Sequence, residues 1–303
     1  MTELTCLQQK MSEKTLCCTL KYNEPLNKHT SFRIGGNAEV MAFPQSTQEL
    51  SEILKESALL DISPVILGAG TNVLAPDEPV KGIVICLKDC LDGMERLNET
   101  DIRIMAGVTM TRAAIFAANL GLSGLEFAHG IPGTVGGGVF MNAGAYGGEI
   151  SHVCTRVCVM TLRGELRELS GEDMQFSYRH STVMDSGDIV VSADFRLQPK
   201  ATEEIRAVMK DLMSRRSASQ PLDMPSAGSA FKRPVGGYAG ALIEEAGLKG
   251  FRVGNAAIST KHAGFAVNLG GASAADVRSL LKQVSDIVYE RSGIRLEPEI
   301  RIW

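Results

Sequence analysis

The sequence predicts an α+β chain built from two or three domains, and three observations carry that reading. At 303 residues with 44% hydrophobic content, the chain exceeds what one small core needs and can bury several. Residues 22–90 read as a compact β-α-β unit with a glycine turn at the carboxyl end of a strand. Near residue 200 the character changes, from valine-rich strand segments to a charged helix and a long turn-rich passage.

The elements follow in order. Residues 1–21 mix charges and glutamines and read as a loosely docked extension. Thr47–Leu60 has helical spacing, with Leu50, Ile53 and Leu54 on one face. Pro64–Leu67 and Gly82–Leu87 read as strands, and Ile102–Ala106 as another. Met110–Leu120 reads as a helix closed by Gly121. His152–Leu162 and Ile189–Leu197 are expected as strands of alternating polarity, followed by Gln198-Pro199-Lys200 as a linker. Glu203–Arg216 reads as an amphipathic helix. Ser273–Arg291 carries the strongest helical signal: Ser273 as cap with Asp276 three residues on, a stripe through Val277, Leu280, Leu281, Val284, Ile287 and Val288, and Gly293 just past its end. Ile294–Ile302 is expected to close the chain as a strand. The domain boundaries implied are 1–21, 22–90, 91–199 and 200–303.

Composition narrows the function classes. A net charge of -4, with no dense run of lysine and arginine, argues against nucleic-acid binding. No apolar run reaches bilayer length, and the first residues make a poor secretion signal. Seven cysteines, two pairs of them spaced C-x3-C without nearby histidines, indicate reduced thiols in a cytoplasmic protein rather than a metal site.

The most unusual segment is Gly130–Gly148, GIPGTVGGGVFMNAGAYGG, in which eight of nineteen residues are glycine. Glycine inside regular structure costs about 0.5–1 kcal/mol relative to alanine, so such a density needs a reason. Close approach of bare backbone to a bulky anion supplies one, because successive N–H groups can curl around phosphate oxygens; a loop of tight turns is the plainer alternative. Asn142 and Tyr146 add polar groups at its far end. A second glycine turn, ILGAGTNVLA at residues 66–75, follows a strand, yet it has neither the lysine of a phosphate-binding P-loop nor the third glycine of a dinucleotide fingerprint. Two such turns suit a long dinucleotide.

Taken together, Phe32-Arg33-Ile34-Gly35-Gly36, GAGTN, GIPGTVGG with NAGAYGGE, Ser177-Tyr178-Arg179, AGSAFKRP at 227–234 and Leu296-Glu297-Pro298-Glu299 resemble the UDP-N-acetylenolpyruvoylglucosamine reductase (MurB) family over residues 22–302. The resemblance implies two α+β subdomains that bind FAD in the manner of the vanillyl-alcohol oxidases (the PCMH type), and a C-terminal α+β substrate domain. It implies NADPH as electron source and peptidoglycan precursor synthesis as the setting. Hydride from reduced FAD would reach the terminal enolpyruvyl carbon, with a proton from Ser229. The cofactor-binding positions it implies are Arg33 and Gly35, lying as a strand against the cofactor, then Leu67, Gly68, Ala69, Gly70, Thr71 and Asn72. In the cradle they are Gly130, Ile131, Pro132, Gly133, Thr134, Val135, Gly136 and Gly137, with Asn142, Ala143, Gly144 and Tyr146. Residues 66–75 offer no histidine or cysteine, so a non-covalent flavin is expected, with His129 the one nearby attachment candidate.

The chemistry constrains the catalytic roles. Hydride addition to an enolpyruvyl double bond throws charge onto the neighbouring carbon and its carboxylate, which calls for a cation at the carboxylate and a proton donor at the carbon. Arg179 suits the first with its planar forked donors. Ser229 suits the second, and Glu299 helps only when protonated or when it donates through water. For the UDP-sugar the candidates are Tyr178, Lys232, Arg233 and Arg301, with Gln220, Tyr238 and Lys261 behind them. Arg233 stands where one branch of the family has asparagine, and the short stretch from Tyr178 to Ile189 has no room for that branch's tyrosine-bearing insertion. The chain is also expected to end at Trp303 without that branch's tail, which places it in the shorter branch. A monomer is expected, with small-molecule substrates, no nucleic acid and no membrane span. A flavin oxidase of the same superfamily and a non-catalytic nucleotide-binding scaffold remain as other readings.

Overall fold

In the computed structural model residues 18–303 are described, so Cys6, Cys17 and most of the proposed extension lie outside them. The chain divides into two units. One takes the described residues up to Tyr22, Val40–Ala69 and Gly82–Ser214; the other takes Asn23–Glu39, Gly70–Lys81 and Arg215–Trp303. Strand β1 (Thr19–Pro25) begins within the segment read as an extension.

The first unit holds two cores. Strand β2 (Asn37–Phe43) leads into helix α1 (Thr47–Leu59), capped by Ser46, whose hydroxyl accepts from Glu49 N. Strands β3 (Val65–Leu67) and β4 (Val80–Cys86) pair in parallel, giving a sheet ordered β1-β2-β4-β3. Leu50, Ile53 and Leu54, the predicted helix face, pack here with Val40, Ile83 and Ile85. The second core lies on a five-stranded sheet made of β5 (Met94–Arg96), β6 (Asp101–Met105), β7 (Cys154–Met160), β8 (Leu166–Ser170) and β9 (Ile189–Arg196), ordered β8-β7-β9-β6-β5. Helix α2 (Met110–Asn119) covers it, capped by Thr109 and closed through Gly121 at φ 68°.

Strand β9 departs from the expected polar alternation, because it is buried from Ile189 through Phe195. Cys158 and Val159 of β7 face Ser192 and Val190, so Val191 is skipped in a bulge. The bulge resets the parity: Ile189 and Val191 join the first core, whereas Val190, Ala193 and Phe195 all join the second. Gln198–Pro199 is not a free linker. It pairs with Leu122–Ser123 as a two-residue strand. The chain leaves the first unit later, within helix α4 (Thr202–Ser219). Between α2 and β9 lies α3 (Val135–Phe140), the helix of the glycine-rich segment.

The second unit is built on β10 (Ser226–Ser229), β11 (Arg252–Val253), β12 (Ala256–Ile258) and β13 (Phe265–Asn268), ordered β10-β13-β12-β11. Strand β10 thus sits inside the passage read as all turn. Helices α5 (Ala239–Glu245) and α6 (Ala274–Ser292) pack on it. Helix α6 follows its sequence signature: Ser273 and Asp276 form a reciprocal capping box, and Gly293 ends it at φ 72°. The closing strand is shorter than predicted. Arg301–Ile302 forms the strand, in parallel with Val73–Leu74, while Pro298, which cannot donate to a ladder, makes only an isolated bridge.

Candidate active site

Within the first unit the two glycine turns meet. Gly68 leaves β3 so close to Thr134 that an added Cβ would stand 2.6 Å from the threonine hydroxyl. Thr134 in turn caps α3, accepting from Gly137 N at 3.3 Å. Glycines 136 and 138 are demanded by packing, since a Cβ would meet Ala106 Cβ at 2.9 Å and Met110 Sδ at 2.7 Å respectively. At Gly137 the nearest atom would be 3.6 Å away, and at Gly147 no atom lies within 4 Å. Part of the glycine density therefore seats α3 tightly, and part leaves open approach to backbone. Beside the segment, His129 Nδ1 is buried with no hydrogen-bond partner, while its carbonyl accepts from Thr111 Oγ1. Open glycines and an unsatisfied buried polar atom fit a polar ligand at the cradle.

On the approach to that contact Leu67 is buried and Ala69 half-buried; Gly130, Ile131, Pro132 and Gly133 lead from His129 to Thr134. Val135 N and Gly136 N are bonded to Val108 O and Ala106 O, so neither amide is open to a ligand. Beyond α3, Ala143 N bonds Gly138 O, and Gly144–Ala145 pairs with Gly148–Glu149 around the exposed Tyr146.

Arg179 lies at the apex of a tight turn. His180 N bonds Ser177 O at 3.2 Å and Ser177 N bonds His180 O at 3.1 Å, which leaves Tyr178 and Arg179 as central residues. Arg179 has φ 56°, a conformation that the Cβ of an L-residue disfavours and that glycine would adopt without strain. Its guanidinium lies 4.9 Å from the Tyr178 ring centre. Among the described residues eight non-glycines have positive φ, and four of them are Arg33, Asn142, Tyr146 and Arg179. Strained backbone concentrates where function constrains a side chain. Nearby Glu149 is held below the usual carboxylate range, chiefly by the Ser151 hydroxyl, with help from Asn142, His152 and Arg179. Nothing local in NAGAYGGE marks this glutamate for a role.

In the second unit, the chain just past Ser229 runs antiparallel to the segment that carries Glu299. An antiparallel bridge joins Phe231 to Pro298; Glu299 N bonds Ala230 O at 3.0 Å and Lys232 N bonds Glu297 O at 2.8 Å. Asn72 fixes the same backbone, donating from Nδ2 to Glu299 O at 3.2 Å and accepting from Arg301 N at 3.0 Å. Ser229 is exposed at the end of β10 and Glu299 is half-buried. Lys232 pairs with Glu297 at 2.9 Å on the surface, and Arg233 lies 4.1 Å from the Tyr238 ring centre. Lys261 Nζ donates to Ser217 O, and Gln220 Oε1 is buried without a partner. Arg33–Gly36 is a turn rather than the expected strand. Arg33 N bonds Thr30 O, Gly35 has φ 137°, and β2 begins only at Asn37. Gly70, at φ 62°, packs so closely on His29 O that no Cβ fits, with Thr71 between it and Asn72.

Residues 38–170 match the family model for an FAD binding domain, and residues 220–303 match that for the UDP-N-acetylenolpyruvoylglucosamine reductase C-terminal domain. A UDP-N-acetylenolpyruvoylglucosamine reductase from Agathobacter rectalis is 45% identical over 294 residues, covering 93% of each chain. The chain belongs to that reductase family. A Streptococcus thermophilus member is 42% identical over 97% of this chain and 96% of its own. The crystal structure of the Thermus caldophilus reductase superposes with a TM-score of 0.78 at 35% identity, over 94% of this chain and 98% of that one. An alkyldihydroxyacetonephosphate synthase shares the fold at TM-score 0.50 and 14% identity, over 64% of this chain and 40% of its own.

Proposed function

We propose that this reductase-family chain is an NADPH-dependent, FAD-containing enzyme that converts UDP-N-acetylglucosamine enolpyruvate to UDP-N-acetylmuramate for peptidoglycan precursor synthesis in the cytoplasm. The observation that carries the reading is an arginine set at a left-handed turn apex in the same unit as two converging glycine turns. A fixed forked cation at a half-exposed turn is what a planar carboxylate needs.

Leu67, Gly68 and Ala69, with Gly130–Thr134 and Gly137, hold the FAD diphosphate region; Arg33 and Gly35 are further cofactor contacts. FAD, when bound, supplies the hydride, and NADPH is the electron source. Arg179 grips the substrate carboxylate and stabilises the charge that develops there. Ser229 delivers the proton to the adjacent carbon. Glu299, whose backbone is held by the Ala230 carbonyl and by Asn72, donates through the Ser229 hydroxyl or through water. Lys232, Arg233, Arg301 and Tyr178 contact the sugar nucleotide. The two cores of the first unit serve as the FAD subdomains expected near 22–90 and 91–199, less Asn23–Glu39 and Gly70–Lys81, and the second unit, which takes those segments and Arg215–Trp303, serves as the substrate domain. The flavin is non-covalent and the protein a monomer.

The test is optical. The purified protein is expected to be yellow, to bleach anaerobically with NADPH, and to recolour on addition of the enolpyruvyl sugar nucleotide. Bleaching by an alcohol with NADPH inert would instead make it an oxidase, and a colourless protein that takes up no FAD would overturn the reading.

A further inference from the structure

We propose that Asn142 is a positioning residue that clips the Arg179 turn onto the end of the glycine cradle, its side chain serving the arginine and not the cofactor. The proposal rests on the reading that Arg179 grips the substrate carboxylate. Asn142 is 1% exposed and has φ 42°. Both of its amide donors are committed inside the protein, to Ser177 O at 3.1 Å and to Glu149 Oε1 at 3.3 Å. Its oxygen accepts from Ser151 N at 3.0 Å. A primary amide has two N–H donors, so this one has none left for a ligand.

The amide orientation is fixed by the same partners. Turned over, the oxygen would face the Glu149 carboxylate and the Ser177 carbonyl, and the NH2 group would face the Ser151 N–H. Glu149 is itself kept ionised by the Ser151 hydroxyl and the nearby Arg179 charge, which favours the observed orientation. Ser177 O accepts both from Asn142 and from His180 N, the bond that closes the turn.

A second pin lies on the other side. Ser181 Oγ donates to Phe140 O, the last residue of α3, at 2.7 Å. Two hydrogen bonds to the far end of the cradle therefore bracket Ser177–Ser181, with Arg179 midway. The left-handed arginine is disfavoured relative to ordinary backbone. Without the pins the turn would relax by letting Arg179 swing its backbone into a common region, and the guanidinium would leave its aim.

The experiment compares N142A, R179A, the double variant and S181A, each as the flavin-loaded protein. Three quantities are read: the rate of bleaching by NADPH, the rate of recolouring by the enolpyruvyl sugar nucleotide, and the affinity of the oxidised protein for that compound against UDP-N-acetylglucosamine, which lacks the carboxylate. N142A is expected to keep the flavin spectrum and the bleaching rate. Recolouring should slow by up to about 10²-fold, the scale of an ångström-sized misplacement, and affinity should fall only for the carboxylate-bearing ligand. In the R179A background N142A should add less than about twofold, since a clip has nothing left to aim. Equal slowing in both backgrounds, loss of flavin, equal weakening of both ligands, or unchanged recolouring would each overturn the proposal. If R179A itself recolours at the parent rate, the assignment of Arg179 fails, and the purpose of the clip with it. Should N142A not fold, S181A removes the other pin and carries the same expectations.

Discussion

Replacing Gly68 by alanine tests whether the two glycine turns depend on one another. The new methyl would stand 2.6 Å from Thr134 Oγ1, which is 0.8 Å inside the 3.4 Å where ordinary contacts begin. Thr134 cannot easily yield. It is 2% exposed, its β-branched side chain is restricted in rotamer, and its hydroxyl caps α3 through Gly137 N. Forcing the hydroxyl away forfeits a cap of about 1 kcal/mol and adds overpacking strain of about 1–3 kcal/mol. The expected cost is thus roughly 2–4 kcal/mol, read from urea unfolding of flavin-free protein by far-UV circular dichroism. Thr134→Ala removes the obstructing oxygen, and the remaining threonine Cβ lies 3.8 Å from the new methyl. In that background Gly68→Ala should cost less than about 0.5 kcal/mol, the scale of a change that creates neither clash nor cavity. Equal cost in both backgrounds, or a negligible cost in the parent, would refute the argument that the turns are in contact.

Three further outcomes are expected. Asp194 is 8% exposed in its side chain and accepts both arms of Arg103, at 2.7 and 2.8 Å, across β6 and β9; Asp194→Ala should cost about 1–3 kcal/mol in urea, and a loss below about 0.5 would deny the pair a structural role. His262 accepts from Gly264 N through Nδ1, and burial pushes its pKa down, so the folded protein favours the neutral ring. The unfolded chain then binds the extra proton first: stability is complete above the ordinary imidazole value of about 6.5 and declines as pH falls from there towards the lower folded value. In His262→Asn, which keeps an acceptor near Nδ1, the urea midpoint should lose less between pH 7.5 and 5.5, and an unchanged slope would count against it. Burial pushes the Cys154 thiol up to about 12 and that of Cys90 to about 11, so neither should alkylate with iodoacetamide at neutral pH until urea opens the fold. Rapid labelling of either in the native protein, located by peptide mass, would contradict their burial.

Helix α6 was legible because its determinants are local: a serine with an aspartate three residues on, an apolar stripe, and a terminal glycine. The strand partners of Gln198–Pro199 and Arg301–Ile302 are 76 and 228 residues upstream in sequence, at Leu122–Ser123 and Val73–Leu74, and no local pattern announces such pairing. The family resemblance implied a strand at Phe32–Gly36, yet the left-handed Arg33 and Gly35 at φ 137° turn it aside. At the candidate site, glycine density marked the segment, although part of it, at Gly136 and Gly138, serves the seating of α3. The neighbourhood of Ser229 and Glu299 could be named only through family resemblance; what joins them is a backbone bridge between residues 231 and 298. The Asn142 amide was equally silent, since its partner Ser177 lies 35 residues on and any asparagine in a loop looks alike.

The four left-handed residues at 33, 142, 146 and 179 also set a trap for anyone hardening this protein. Glycine at the exposed 146 or half-exposed 179 relaxes the main chain, so a library screened only for survival after heating would drift towards it there, whereas at 142 it would forfeit the buried amide's three hydrogen bonds. The tougher descendants would keep their shape and forfeit their turnover, and the arginine would be the first worth guarding.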